Sequence, residues 1–87
     1  PHTSTEAAAA VAAHLTELHE QVLAAFQAHG RMTDEELEQL PEFRGYGPST
    51  IRKRRSELFQ RRHLVAVGAR ANSRGRRMVI WEHAGLS

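Results

Sequence analysis

The sequence predicts an α+β chain, mostly α, in which three helices precede a C-terminal β-hairpin. Two observations carry the prediction. Up to about residue 62, apolar residues recur at helical spacing between N-terminal caps and Gly or Pro stops. From residue 64 that period gives way to two short β-prone runs on either side of a polar, arginine-rich stretch. A third observation bears on function: the two halves of the chain carry opposite charge.

The first helix has two candidate starts. Thr3-Ser4-Thr5-Glu6 has the form of a capping box, with Thr3 as N-cap and Glu6 reaching back. Val11, Leu15, Leu18, Val22 and Ala25/Phe26 then recur at steps of four and three, and Gly30 is a C-terminal stop. The alanines at positions 7–10 favour helix by propensity but offer little to bury. Thr16 is therefore the expected start of the packed helix. Residues 1–15 read as an Ala-rich helical extension and residues 16–87 as the domain.

Thr33-Asp34-Glu35-Glu36 is a second capping box, opening a short helix with Leu37 and Leu40 that Pro41 stops. The acidic run from Asp34 to Glu38 complements the dipole of that helix. Phe43-Arg44-Gly45-Tyr46-Gly47 forms a turn, and Pro48 suits the first position of a third helix reaching about Arg62. Ile51 and Leu58, with Phe59 beside them, form its apolar face. Leu64–Val67 and Met78–Trp81 are the β-prone runs, and the stretch from Gly68 to Arg77 is read as the hairpin loop. Phe26 and Trp81 are assigned to the core.

Length and composition exclude several classes. Eighty-seven residues make one small domain. With no cysteine there is no disulfide framework and no thiolate chemistry. No apolar run approaches the roughly 18–20 residues of a membrane span, and the Ala-rich start lacks the basic residues of a signal peptide. Six histidines invite a metal reading, but His14 and His19 are five apart and fall on different helical faces. No phosphate-binding glycine loop, nucleophile elbow or catalytic carboxylate pair is present. The expectation is therefore no catalytic residue, no cofactor and no metal: not an enzyme.

The net charge of +2 hides the functional signal. Residues 1–40 hold one basic and seven acidic side chains, whereas residues 41–87 hold eleven basic and three acidic ones. Such a split points to a polyanion-facing half. On the third helix, Ser49, Lys53, Ser56 and Gln60 gather opposite Ile51 and Leu58, flanked by Arg52 and Glu57. A helix of this kind fits a major groove about 12 Å wide, with Lys and Arg for phosphates or guanine, Gln for adenine and Ser for either. Arg70, Arg74, Arg76 and Arg77 cluster in the expected loop, where arginine can enter a narrow A·T minor groove.

The stretch from Ser49 to Leu58, followed by Leu64-Val65, Gly68-Ala69-Arg70, Arg74-Gly75-Arg76 and Val79-Ile80-Trp81, resembles the winged helix-turn-helix domain. It is especially similar to small winged-helix proteins of actinobacterial phages and their hosts, and more loosely to MarR-like repressors. The resemblance covers about residues 16–82. It implies that the third helix reads the major groove and that the hairpin loop is the wing, with Ser49, Thr50 and Lys53 as helix contacts and Arg74 and Arg76 as wing contacts. Two positions depart from the pattern. Arg55 stands where an apolar, partly inward residue is usual, so it needs an acidic partner, Glu82 or an acid of the second helix. His63 stands where the helix-to-strand turn often has Gly, a position at which His tolerates left-handed φ.

The expected function is duplex DNA binding by a transcriptional or phage regulatory factor, cytoplasmic and nucleoid-associated. The candidate DNA-binding residues are Ser49, Thr50, Arg52, Lys53, Ser56, Gln60, Arg70, Arg74, Arg76 and Arg77. No membrane and no small-molecule substrate are expected as partners. A homodimer through the N-terminal helix is the second expected partner, because Val11 and the alanines lie beyond the reach of the domain core. The alternative is a winged-helix protein-interaction module without sequence-specific DNA binding, using the acidic first half and the apolar N-terminal stripe.

Overall fold

The computed structural model describes residues 15–86, with three α-helices followed by a two-stranded antiparallel hairpin. The expected Thr3 cap, the Ala-rich extension and its dimer contact lie outside the described residues. Helix α1 spans Glu17–His29 and starts at Thr16, as the cap chemistry requires. The Thr16 hydroxyl accepts the His19 backbone N–H, and His19 Nδ1 accepts the Thr16 backbone N–H at 3.1 Å. Each side chain thus satisfies one donor that a helix start leaves orphaned. Val22, Ala25 and Phe26 turn inward, and Gly30 ends the helix at φ +82°.

Helix α2 spans Asp34–Glu38 and carries the expected reciprocal cap between Thr33 and Glu36. A 3-10 turn at Pro41–Phe43 buries Phe43 and leads to α3, Pro48–Gln60, with Pro48 at its first position. Ile51 and Leu58 are fully buried, as their spacing requires, and each contributes about 1.5–3 kcal/mol by leaving water. Phe59 is 43 % exposed, its ring packing edge-on against Trp81 at 4.8 Å.

The end of α3 differs from expectation. The helix stops at Gln60, and the left-handed residue is Arg62, at φ +67°, rather than His63. The His63 N–H bonds the Leu58 carbonyl at 2.9 Å and the Arg62 N–H bonds that of Phe59 at 3.0 Å. This pair of bonds closes the helix with the left-handed residue one place earlier in the chain.

Strands β1, Leu64–Ala71, and β2, Arg77–His83, are longer than the apolar runs alone suggested. Gly68, Ala69, Arg70 and Ala71 pair with Ile80, Val79, Met78 and Arg77, so Arg70 and Arg77 are strand residues, not loop residues. Cross-strand pairing with β2 continues the ladder past the point where the β-propensity of β1 fades. A register shift between Ala66 and Gly68 leaves Val67 unpaired. On the other side of β2, Met32 exchanges two backbone hydrogen bonds with Trp81, at 3.0 and 2.8 Å. That link ties the segment between α1 and α2 to the hairpin. One core results, from Val22, Phe26, Met32, Leu37, Phe43, Ile51, Leu58, Leu64 and Trp81. Among the described residues no helix is long and apolar enough to cross a membrane.

Candidate nucleic-acid interface

The outer face of α3 emerges largely as its periodicity dictates. Ser49, Thr50, Lys53 and Gln60 are exposed, while Ser56 is half-buried. Gly47 at the N-cap offers no side-chain hydrogen bond, so the first turn of α3 meets solvent with no side-chain cap. Arg52 is exposed but committed: it gives two hydrogen bonds to Glu38 of α2, at 3.0 and 3.3 Å. Its charge is therefore largely balanced; the Lys53 side chain makes no hydrogen bond or salt bridge among the described residues and acts on Glu57 only at a distance.

The hairpin tip is a five-residue connection, 72–76, organised by Asn72. The Asn72 Oδ1 accepts the backbone N–H groups of Arg74 and Arg76, each at 2.9 Å. The Asn72 N–H bonds the Arg76 carbonyl at 2.7 Å, and Gly75 takes φ +80° to close the turn. The side chains of Arg74, Arg76 and Arg77 are exposed and have no ion-pair partner among the described residues. Arg70, on β1, is bound instead by Glu36 of α2. Across from the tip, one cleft brings together Arg52 of α3, Glu35 and Glu38 of α2, and Ser73, Arg74 and Arg76 of the hairpin. Two of the basic elements picked out in the sequence, the start of α3 and the hairpin tip, therefore share one surface.

The acidic α2 does more than complement its own dipole. Asp34 holds Arg55, Glu38 holds Arg52, Glu36 holds Arg70, and Glu35 holds Ser73. The charge split along the chain is thus partly an internal match, with α2 neutralising arginines of the basic half. Arg55 finds the second-helix acid its position demanded; Glu82 pairs with Arg31 instead, at 2.8 Å. Apart from that of Arg55, these cross-links were not visible in the sequence. The one signal available was that four acids in five residues exceed what a single short helix dipole can use.

Carboxyl pKa values follow the same contacts. Partial burial raises that of Glu36, but the Thr33 amide and Arg70 outweigh it and hold the group below its usual range. Burial likewise works against Glu57, yet His19 and the charges of Arg54 and Lys53 bring it down. Glu38 goes the other way: burial, helped by Asp34 and Glu35, raises it despite Arg52. Since the backbone N–H of Thr16 can only donate, His19 Nδ1 is an acceptor, and Nε2 carries the proton toward Glu57 Oε1 at 2.7 Å. This link, buried on the histidine side, fixes α1 to the flank of α3 beside Lys53. Among the described residues no three His, Cys, Asp or Glu side chains are grouped to hold a metal ion.

Comparison with protein-family models, curated proteins and solved structures finds no match for this chain.

Proposed function

We propose that this chain is a duplex DNA-binding protein of the winged helix-turn-helix type, a transcriptional or phage regulatory factor that performs no catalysis. In this reading α3 enters the major groove and the hairpin tip lies on the backbone or in the adjacent minor groove. One observation supports it: Pro48 and Arg52, at the uncapped start of α3, line one cleft with Arg74 and Arg76 of the hairpin tip, whose side chains have no ion-pair partner among the described residues. Thirteen helical residues extend about 20 Å, enough for three to four side chains to reach base edges. In this reading Lys53, Arg74, Arg76 and Arg77 supply phosphate contacts, and Ser49, Thr50 and Gln60 read bases.

The test is salt-dependent binding to duplex DNA. Affinity should fall steeply with salt, and replacing Arg74 and Arg76 together with Ala should lower the slope of log K against log salt by about two at most. A slope identical to that of the parent chain removes the hairpin tip from the interface. A second reading, a protein-interaction module, draws on Glu35 and Glu38, acids that line the same cleft and repel a phosphate backbone. Failure of the parent chain to bind any duplex at low salt favours that reading.

A further inference from the structure

Acids are an unexpected lining for a surface that meets a polyanion, and the contacts of Glu35 give them a reason. Its Oε1 accepts the backbone N–H of Ser73 at 3.2 Å, and its Oε2 accepts the Ser73 hydroxyl at 3.1 Å. Ser73 is the residue between Asn72, which organises the tip turn, and Arg74. The next residue, Glu36, holds Arg70 at the end of β1 that leads into the tip. A two-stranded hairpin is marginal on its own. Beyond the Ala66–Gly68 irregularity, the contacts of Glu35 and Glu36 tie the hairpin to α2 and help fix its direction.

We infer that Glu35 is a positioning residue for the hairpin tip: it clamps Ser73 to α2 and so fixes where Arg74 and Arg76 are presented to a nucleic acid. The inference rests on the DNA-binding reading for its functional consequence, but not for its structural one. It makes a prediction opposite in sign to simple electrostatics. Removing an acid beside a phosphate backbone should tighten binding if charge alone decides. Removing a positioning acid weakens binding, because the tip must then be ordered at the moment of association.

Two variants separate the effects. Glu35→Ala removes both the charge and the clamp. Glu35→Gln removes the charge but can keep both contacts, its Oε1 accepting the Ser73 N–H and its amide donating to the Ser73 hydroxyl. Binding of each to a fluorescein-labelled duplex of mixed sequence is measured by anisotropy at low salt. Glu35→Ala should bind about three- to tenfold more weakly than the parent, the value of one or two partly exposed hydrogen bonds. Glu35→Gln should bind at least as well as the parent. Equal or tighter binding by Glu35→Ala overturns the inference.

Backbone 15N relaxation of residues 72–76 gives a readout independent of DNA. Order parameters there should fall in Glu35→Ala and be retained in Glu35→Gln, with the core amides unchanged in both. If the parent binds no duplex, the DNA reading fails and the relaxation data alone decide. Unchanged order at the tip in Glu35→Ala then overturns the positioning role as well.

Discussion

The Arg55 guanidinium closes on the Asp34 carboxylate through two hydrogen bonds, Nε to Oδ1 at 2.7 Å and Nη2 to Oδ2 at 2.8 Å, with both side chains 11 % exposed. The guanidinium also lies 4.1 Å from the centroid of the Trp81 ring. The pair joins α2 to α3, and its outer layer is the hairpin residue that carries the Met32 rung. Planar stacking and a bidentate fork suit Arg and not Lys at this place.

Breaking this pair from one side leaves a charge in the interior. Asp34→Ala should destabilise the domain by about 3 kcal/mol or more. Arg55→Met should cost less, because a flexible apolar side chain can still pack on Trp81 and Asp34 keeps its place in the first turn of α2. Urea unfolding of both variants checks the order; a loss under about 1 kcal/mol for Asp34→Ala would show the pair to be dispensable.

On α3 the ion pairs rank the two cations that sequence spacing alone makes equivalent. Among the described residues the Lys53 side chain has no hydrogen-bond or salt-bridge partner and acts on Glu57 only at a distance, whereas Arg52 is hydrogen-bonded to Glu38. Lys53→Ala should therefore weaken duplex binding more than Arg52→Ala. If Lys53 contacts a base, the loss is about 1–3 kcal/mol with relaxed specificity at one position. Anisotropy titrations against a selected and a scrambled duplex measure both effects, and equal losses for the two variants would contradict the ranking.

The helical part of this fold was legible because its signals are local. Thr16, Thr33, Gly30 and Pro48 each act within one turn of chain, and each stands at the helix end its chemistry indicates. The inward placement of Ile51 and Leu58 follows from period alone. What the sequence hid was pairing at a distance. Strand residues from Gly68 to Ala71 have weak β-propensity and are strands because β2 faces them. Glu35 meets Ser73 across 38 residues and Glu36 meets Arg70 across 34, so no spacing rule joins them. For the candidate interface, exposure of Ser49, Lys53 and Gln60 was readable. The commitment of Arg52 and Arg70 to α2 was not.

The turn after α3 stores removable strain. Arg62 sits at φ +67°, a conformation that costs a residue with a Cβ about 1–2 kcal/mol. The backbone bonds closing the helix do not involve its exposed side chain. Arg62→Gly should stabilise the domain by about 0.5–1 kcal/mol, the relief being partly offset by the greater freedom of Gly in the unfolded chain. His63→Gly should give no such gain, because the left-handed residue is the one before it. Thermal melts of the two variants separate these outcomes, and a gain at residue 63 without one at residue 62 would reassign the turn.

Acid stability should be shaped by three glutamates with opposite signs. Glu57 and Glu36 have folded-state pKa values below the unfolded value of about 4.3. A depressed carboxyl contributes stability that is present above the unfolded value and is lost as pH falls through the folded one. Glu38, raised mainly by burial, behaves in reverse. Ionised, it costs stability above its raised pKa, and that cost disappears as pH falls toward the unfolded value. On acidification from neutrality, Glu38 should therefore first add a little stability, before Glu36 and Glu57 withdraw theirs below about pH 4.3. Glu57→Gln keeps a hydrogen-bond acceptor for His19 Nε2 but removes the titrating group, so its stability should fall less steeply on the acid side than that of the parent. Glu38→Gln should abolish the early rise and leave the steep acid loss in place. Urea midpoints measured between pH 3 and pH 7 resolve both limbs. An acid limb in Glu57→Gln as steep as in the parent would mean that the His19–Glu57 link, for all its burial on the histidine side, adds nothing to the pH dependence of this fold.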